Sequence, residues 1–175
     1  MKQATGTAQE IAKLKARHRR GDPLATPNIA VVYRAAGDLR KAVLWWRRAV
    51  AEGDGDALVD LGYSLQYGIG VRQDSSAASL ALRTALRSRH ITEYGREEAS
   101  YHLALLHLDS RSRSSHRRAR KLLAFASRDG DFPEAQELLQ SLRSGATASP
   151  CRCRRGLRRS TKGQATCSRH PRRRA

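Results

Sequence analysis

Between residues 55 and 86 the chain reads GDALVDLGYSLQYGIGVRQDSSAASLALRTAL, and small or apolar residues recur at helical spacing in two separate runs. Ala57, Leu61 and Leu65 form the first stripe; Ala78, Ala81 and Ala85 form the second. Between them, Gly68-Ile69-Gly70-Val71 breaks the period and lets the chain reverse, because glycine reaches backbone angles that a Cβ makes costly. Asp74, followed by Ser75 and Ser76, suits the start of the second helix, where a short polar side chain satisfies free N–H groups. The pattern predicts two helices joined by a tight turn. One such hairpin cannot bury both stripes alone, so its neighbours must supply more of the same.

They do. Residues 41–54 (KAVLWWRRAVAEGD) and 119–131 (ARKLLAFASRDGD) repeat the second-helix pattern, and Ile29-Ala30, Leu61-Gly62 and Leu103-Ala104 mark matching places in the first. The matched alanines Ala42, Ala78 and Ala119 lie 36 and 41 residues apart. A period of this size built from helix pairs signals a stacked α-solenoid.

Leu61-Gly62, Gly68-x-Gly70-Val71, Asp74, Ala78 and Ala85 together resemble a Sel-one-like repeat, a relative of the tetratricopeptide repeat. Lys41-Ala42-x-x-Trp45-Trp46-x-x-Ala49-x-x-x-Gly53-Asp54 is similar to the closing half of such a repeat. The likeness covers roughly residues 24–143. The first unit has Ala36-Gly37-Asp38 in place of the Gly-x-Gly-Val turn, and the third has DSRSRSS at 109–115. The resemblance implies an all-α fold: an α/α solenoid of about three helix-hairpin repeats over residues 23–143. A basic segment at 1–22 would precede it and a basic tail at 144–175 would follow.

Around this frame, residues 8–20 predict a short basic helix with Ile11 and Leu14 on one side, stopped by Gly21-Asp22-Pro23 and capping the first repeat. Helices are expected at about 27–36, where Pro27 suits the first position, and at 38–51. Trp45 stands where the repeat family places a packing aromatic and is expected in the core; Trp46 stays open between core and surface. SRSRSSHRRARK at 110–121 resembles the Arg/Ser segments of RNA-binding proteins but occupies a connection, so it reads as a solvated basic turn leading into a helix. Phe132-Pro133-Glu134 opens one closing helix with Ala135, Leu138, Leu139 and Leu142 inward.

Charge changes the picture at the ends. The net charge is +18, yet residues 21–143 hold 18 basic and 15 acidic residues, whereas 144–175 hold 10 basic residues and no acid. Arg outnumbers Lys by 28 to 6, a bias that genome composition can produce, although it cannot remove acids from a tail. The tail also carries the one candidate chemical site. Cys151-x-Cys153 and Cys167-x-x-His170 are four soft ligands in two close pairs, a donor set that zinc favours. They are similar to the small zinc knuckle of the secretion ATPase, with a longer spacer; the competing reading is three incidental cysteines and a histidine. No apolar run is long enough for a membrane span or a secretory signal, so a cytoplasmic protein without a membrane partner is expected.

No phosphate loop, nucleophile elbow or helical His-Glu-x-x-His is present. His102 and His107 fall five apart rather than four, His90, Glu93 and Tyr94 are mere sequence neighbours, and the carboxylates sit at turns and helix starts as caps. The chain therefore reads as non-enzymatic. Its expected function is an interaction module that holds a partner peptide or helix on a concave surface lined by the first helices. Aligning the units makes Asn28, Asp60 and His102 equivalent, and likewise Val31, Tyr63 and Leu105, so the resemblance places these six at the groove or its edge. Val31 and Leu105 also read as plain packing residues. The alternative is weakly sequence-specific nucleic-acid binding through the basic, zinc-ordered tail.

Overall fold

The computed structural model describes residues 2–110, 112–128 and 132–144. Among these, eight helices and no strand occur: α1 (Lys2–Arg19), α2 (Ala25–Ala35), α3 (Leu39–Ala51), α4 (Gly55–Tyr67), α5 (Ser75–Ala85), α6 (Glu93–Leu108), α7 (Arg113–Ala126) and α8 (Pro133–Arg143). α2/α3, α4/α5 and α6/α7 are the three hairpins. Each packs on the next, α1 covers α2, α8 closes against α7, and the first helices α4 and α6 also touch directly.

Local chemistry sets the helix ends. Asp54 caps α4 by accepting from the N–H groups of Asp56 and Ala57 at 2.9 and 3.1 Å, and Asp74 caps α5 through Ala77 N–H at 2.9 Å. Gly68 ends α4 in the left-handed region at φ 71°, and Gly70 repeats that geometry at φ 70°. A Cβ on Gly70 would collide with the Leu39 carbonyl, so the turn lies tight against the start of α3. Gly62 serves packing instead. A Cβ there would stand 2.8 Å from Leu82 Cδ2, which shows how closely α4 approaches α5.

The core is a row of three small clusters built largely of alanine. Ala30, Ala42, Val43, Trp46, Ala49 and Ala57 fill the first; Val59, Leu82, Ala85, Ile91, Ala99 and Leu103 the second; Ala104, Ala119, Leu123, Ala126, Ala135 and Leu139 the third. Ala42, Ala78 and Ala119, whose spacing gave the period, are all fully buried. Of the two tryptophans, Trp45 is not in the core where it is expected, and Trp46, left open, is. Trp46 is the buried one, at 1% exposure, because it lies one turn after Ala42 on the inward stripe. Trp45 is half-buried at the edge, with the His18 ring 5.7 Å away and Lys15 and Arg48 over its face.

Three further boundaries differ from the sequence reading. α2 starts at Ala25, so Pro27 is its third residue and not its first. α1 runs from Lys2 and docks through buried Leu14, with His18 Nδ1 2.8 Å from Thr26 Oγ1. α6 starts at Glu93, not Arg96, because Thr92 caps it by accepting from Gly95 N–H at 3.0 Å. The preceding connection is strapped onto α4: Gly55 N–H donates to the His90 carbonyl at 3.1 Å, and Thr92 donates to Asp56 Oδ1 from its N–H (3.1 Å) and its hydroxyl (3.0 Å).

Candidate partner-binding face

The first helices α2, α4 and α6 carry the candidate face. Arg34, in the last turn of α2, donates to Asp60 Oδ1 of α4 at 2.9 Å, and this ion pair bridges two repeats. Beside it opens a cleft of about 340 Å³ lined by Arg34, Asp56, Val59, Asp60, Thr92, Tyr94, Gly95 and Glu98. Burial raises the pKa of Asp60, opposed by the Arg34 charge, and burial followed by the Asp60 charge raises that of Glu98. Asp56, Asp60 and Glu98 thus line one cleft with a single guanidinium, Arg34, which pairs with Asp60. They do not converge enough for a metal: among the described residues no group of three His, Cys, Asp or Glu could hold one.

Next to the cleft the rings of α4 and α6 form a continuous network. Tyr63 packs on Tyr67 at 4.9 Å with the rings tilted by 55°; both meet His102, at 5.2 and 5.9 Å; His102 meets Tyr101 at 5.4 Å. Tyr101 and Tyr94 then flank Phe132 at 5.3 and 5.8 Å. Tyr67 and Tyr94 keep about half of their surface open. His102 is only 6% exposed, its Nδ1 lacks a hydrogen-bond partner, and burial lowers its pKa to about 4, so the ring is neutral at pH 7.

No family model matches the chain, and no curated protein matches it. Solved structures do. A Sel1 repeat protein from Oxalobacter formigenes superposes with a TM-score of 0.63 at 23% identity, covering 77% of this chain and 55% of its own. The protein c5321, a protective antigen present in uropathogenic Escherichia coli strains and displaying an SLR fold, gives 0.64 at 25% identity, covering 79% of this chain and 29% of its own. The chain has the Sel1-like repeat fold. It spans about half of the first relative and less than a third of the second.

On this Sel1-like solenoid the six candidate contacts separate. Tyr63 and His102 meet, with His102 buried among tyrosines, and Asp60 holds Arg34. Asn28 and Val31 lie exposed on α2, and Leu105 is half-buried on α6. Among the described residues no side-chain hydrogen bond, ion pair or ring contact joins these last three to the others. Sequence reasoning missed Arg34, Asp56, Tyr67 and Glu98. One signal was available: the 42-residue offset that aligns Leu61 with Leu103 also aligns Asp56 with Glu98. The ligand set Cys151, Cys153, Cys167 and His170, with the basic tail around it, lies outside the described residues.

Charge divides sharply between the two kinds of helix. α3 carries Arg40, Lys41, Arg47 and Arg48, α5 carries Arg83, and α7 carries Arg113, Arg117, Arg118, Arg120 and Lys121, without one carboxylate among them. Asp56 and Asp60 on α4, Glu93, Glu97 and Glu98 on α6, and Glu134 and Glu137 on α8 stand against only Arg34, Arg96 and Arg143 on the first helices and α8.

Proposed function

We propose that the chain is a cytoplasmic adaptor without catalysis of its own, holding a segment of a partner protein on the α2/α4/α6 face. One observation carries this reading. The cleft at Asp56, Asp60 and Glu98, with partly open Tyr94 at its rim and the Tyr67 end of the ring network nearby, is acidic and aromatic in a chain of net charge +18. Such a surface suits a segment that presents a lysine or arginine beside an apolar side chain, since an uncompensated half-buried carboxylate gains most from an incoming cation. Aromatic rims supply contact area at little entropic cost. The Sel1-like repeat fold, whose resemblance implies a groove for a partner segment, agrees with the reading.

Selection from a displayed random peptide library tests it. Basic, aromatic-containing peptides should emerge and should lose at least about tenfold in affinity on Glu98→Arg, the scale of one well-placed charged contact. Peptides that bind Glu98→Arg and Asp60→Arg as well as the parent chain would contradict the assignment.

Zinc at Cys151, Cys153, Cys167 and His170 is a separate proposal, supported by the donor set alone. One zinc per purified chain, lost on Cys151→Ser with Cys153→Ser, is the expected result; a metal-free chain under reducing, chelator-free conditions ends the idea.

A further inference from the structure

The second-helix face raises a different question. The segment at 110–121, expected to be a solvated basic turn leading into a helix, enters the helix early: α7 begins at Arg113. Arg113, Arg117 and Lys121 then recur every four residues, about 6 Å apart along one side of the helix, with Arg118 beside them. All four are exposed. Among the described residues none of them forms an ion pair, whereas Lys41 and Arg48 on α3 are matched by Asp38 and Glu52. Burial, and then the charges of Arg118 on α7 and Arg83 on α5, lower the His107 pKa, so both guanidinium groups lie within electrostatic reach of one ring on α6.

This arrangement is costly for the helix alone. Like charges one turn apart repel, and Arg113 sits in the first turn, where the helix dipole disfavours a cation. Genome bias toward arginine explains Arg in place of Lys. It does not explain why α3, α5 and α7 lack every carboxylate while α4, α6 and α8 hold seven: Asp56, Asp60, Glu93, Glu97, Glu98, Glu134 and Glu137.

We infer that the second-helix face, centred on Arg113, Arg117, Arg118 and Lys121, is a surface for the phosphate backbone of duplex nucleic acid. Guanidinium groups match phosphate oxygens two at a time. A lipid surface fits α7 less well, because α7 turns its apolar side (Ala119, Leu123, Ala126) into the core and has no large exposed hydrophobic residue; the exposed leucines of this face, Leu44 and Leu80, are on α3 and α5. A single strand also fits less well, since the exposed aromatics Tyr67 and Tyr94 lie on first helices and none on α3, α5 or α7 is open for base stacking. Binding is read by charge and shape, not by base. This surface lies on other helices than the peptide face.

The test compares three full-length chains: the parent, Arg113→Ala/Arg117→Ala/Lys121→Ala, and a tail variant with the same loss of charge, Arg172→Ala/Arg173→Ala/Arg174→Ala. Anisotropy of a short labelled duplex is followed between about 50 and 200 mM salt. The α7 variant should bind at least about tenfold more weakly at the upper end, with a logarithmic salt slope shallower by about 2 to 3, the value for three lost phosphate contacts. The tail variant should lose distinctly less. Equal losses in both variants would reduce the effect to net charge and overturn the inference, as would an unchanged α7 variant. So would α7-dependent binding to phosphatidylserine vesicles or to a single strand in preference to duplex. Far-UV circular dichroism checks the fold; the Arg113→Gln/Arg117→Gln/Lys121→Gln chain replaces the alanine variant if helicity falls.

Discussion

The two faces of this solenoid share one alanine core and differ in nearly everything else. The first-helix face gathers carboxylates and rings around a cleft; the second-helix face displays guanidinium groups with no carboxylate on its helices. A repeat fold permits this because each helix commits only one stripe to the core and leaves the other side free to vary. The contrast teaches that a net charge of +18 says little about any one surface. Carboxylates have been sorted by helix: α3, α5 and α7 hold none, and α4, α6 and α8 hold seven.

The largest expected effect breaks the frame that holds the faces apart. Trp46→Ala empties the first cluster and should cost about 3–5 kcal/mol, whereas Trp45→Ala, at the half-buried edge, should cost clearly less. Urea unfolding of both variants checks the order.

A second effect belongs to the first-helix face alone and appears with acid. The His102 pKa is lowered in the fold, to about 4 from its ordinary 6.5, so between these values the unfolded chain binds more protons. Stability should therefore fall as pH drops from 6.5 toward 4, by up to about 3 kcal/mol. Asp60 and Glu98 act oppositely. Their raised pKa values mean that protonation at low pH relieves a cost present at neutral pH, which trims the loss. Unfolding midpoints at pH 7 and pH 4.5 should separate markedly in the parent chain and much less in His102→Phe.

The smallest effect is the control on the other side. Leu44 and Leu80 occupy equivalent, open positions on α3 and α5, so Leu44→Ser or Leu80→Ser should change stability by no more than about 0.5 kcal/mol. A larger loss would mean that the second-helix face is packed rather than free.

How much of this was legible depends on the range of the interactions. The solenoid was, because Ala42, Ala78 and Ala119 report burial through spacing alone, and Asp74 marks a helix start within three residues. The choice between Trp45 and Trp46 was legible as well, since Trp46 continues the stripe of Ala42 and Ala49, but the expectation for Trp45 followed the repeat resemblance instead. The cleft was harder. Arg34 meets Asp60 26 residues away, and Asp56 meets Thr92 36 residues away, so repeats must stack before the site exists. Carboxylates near helix starts read naturally as caps, which Asp38, Asp54 and Asp74 are, and this hid the different role of Glu98.

The central claim is that a partner segment lies on the α2/α4/α6 face. Amide chemical shifts of the full-length chain, followed by nuclear magnetic resonance as a display-selected peptide is added, test it most directly. The largest changes should cluster at Arg34, Asp60, Tyr94 and Glu98 and leave Arg83 and Arg117 unmoved. Changes centred on α3, α5 and α7, with the cleft silent, would contradict it.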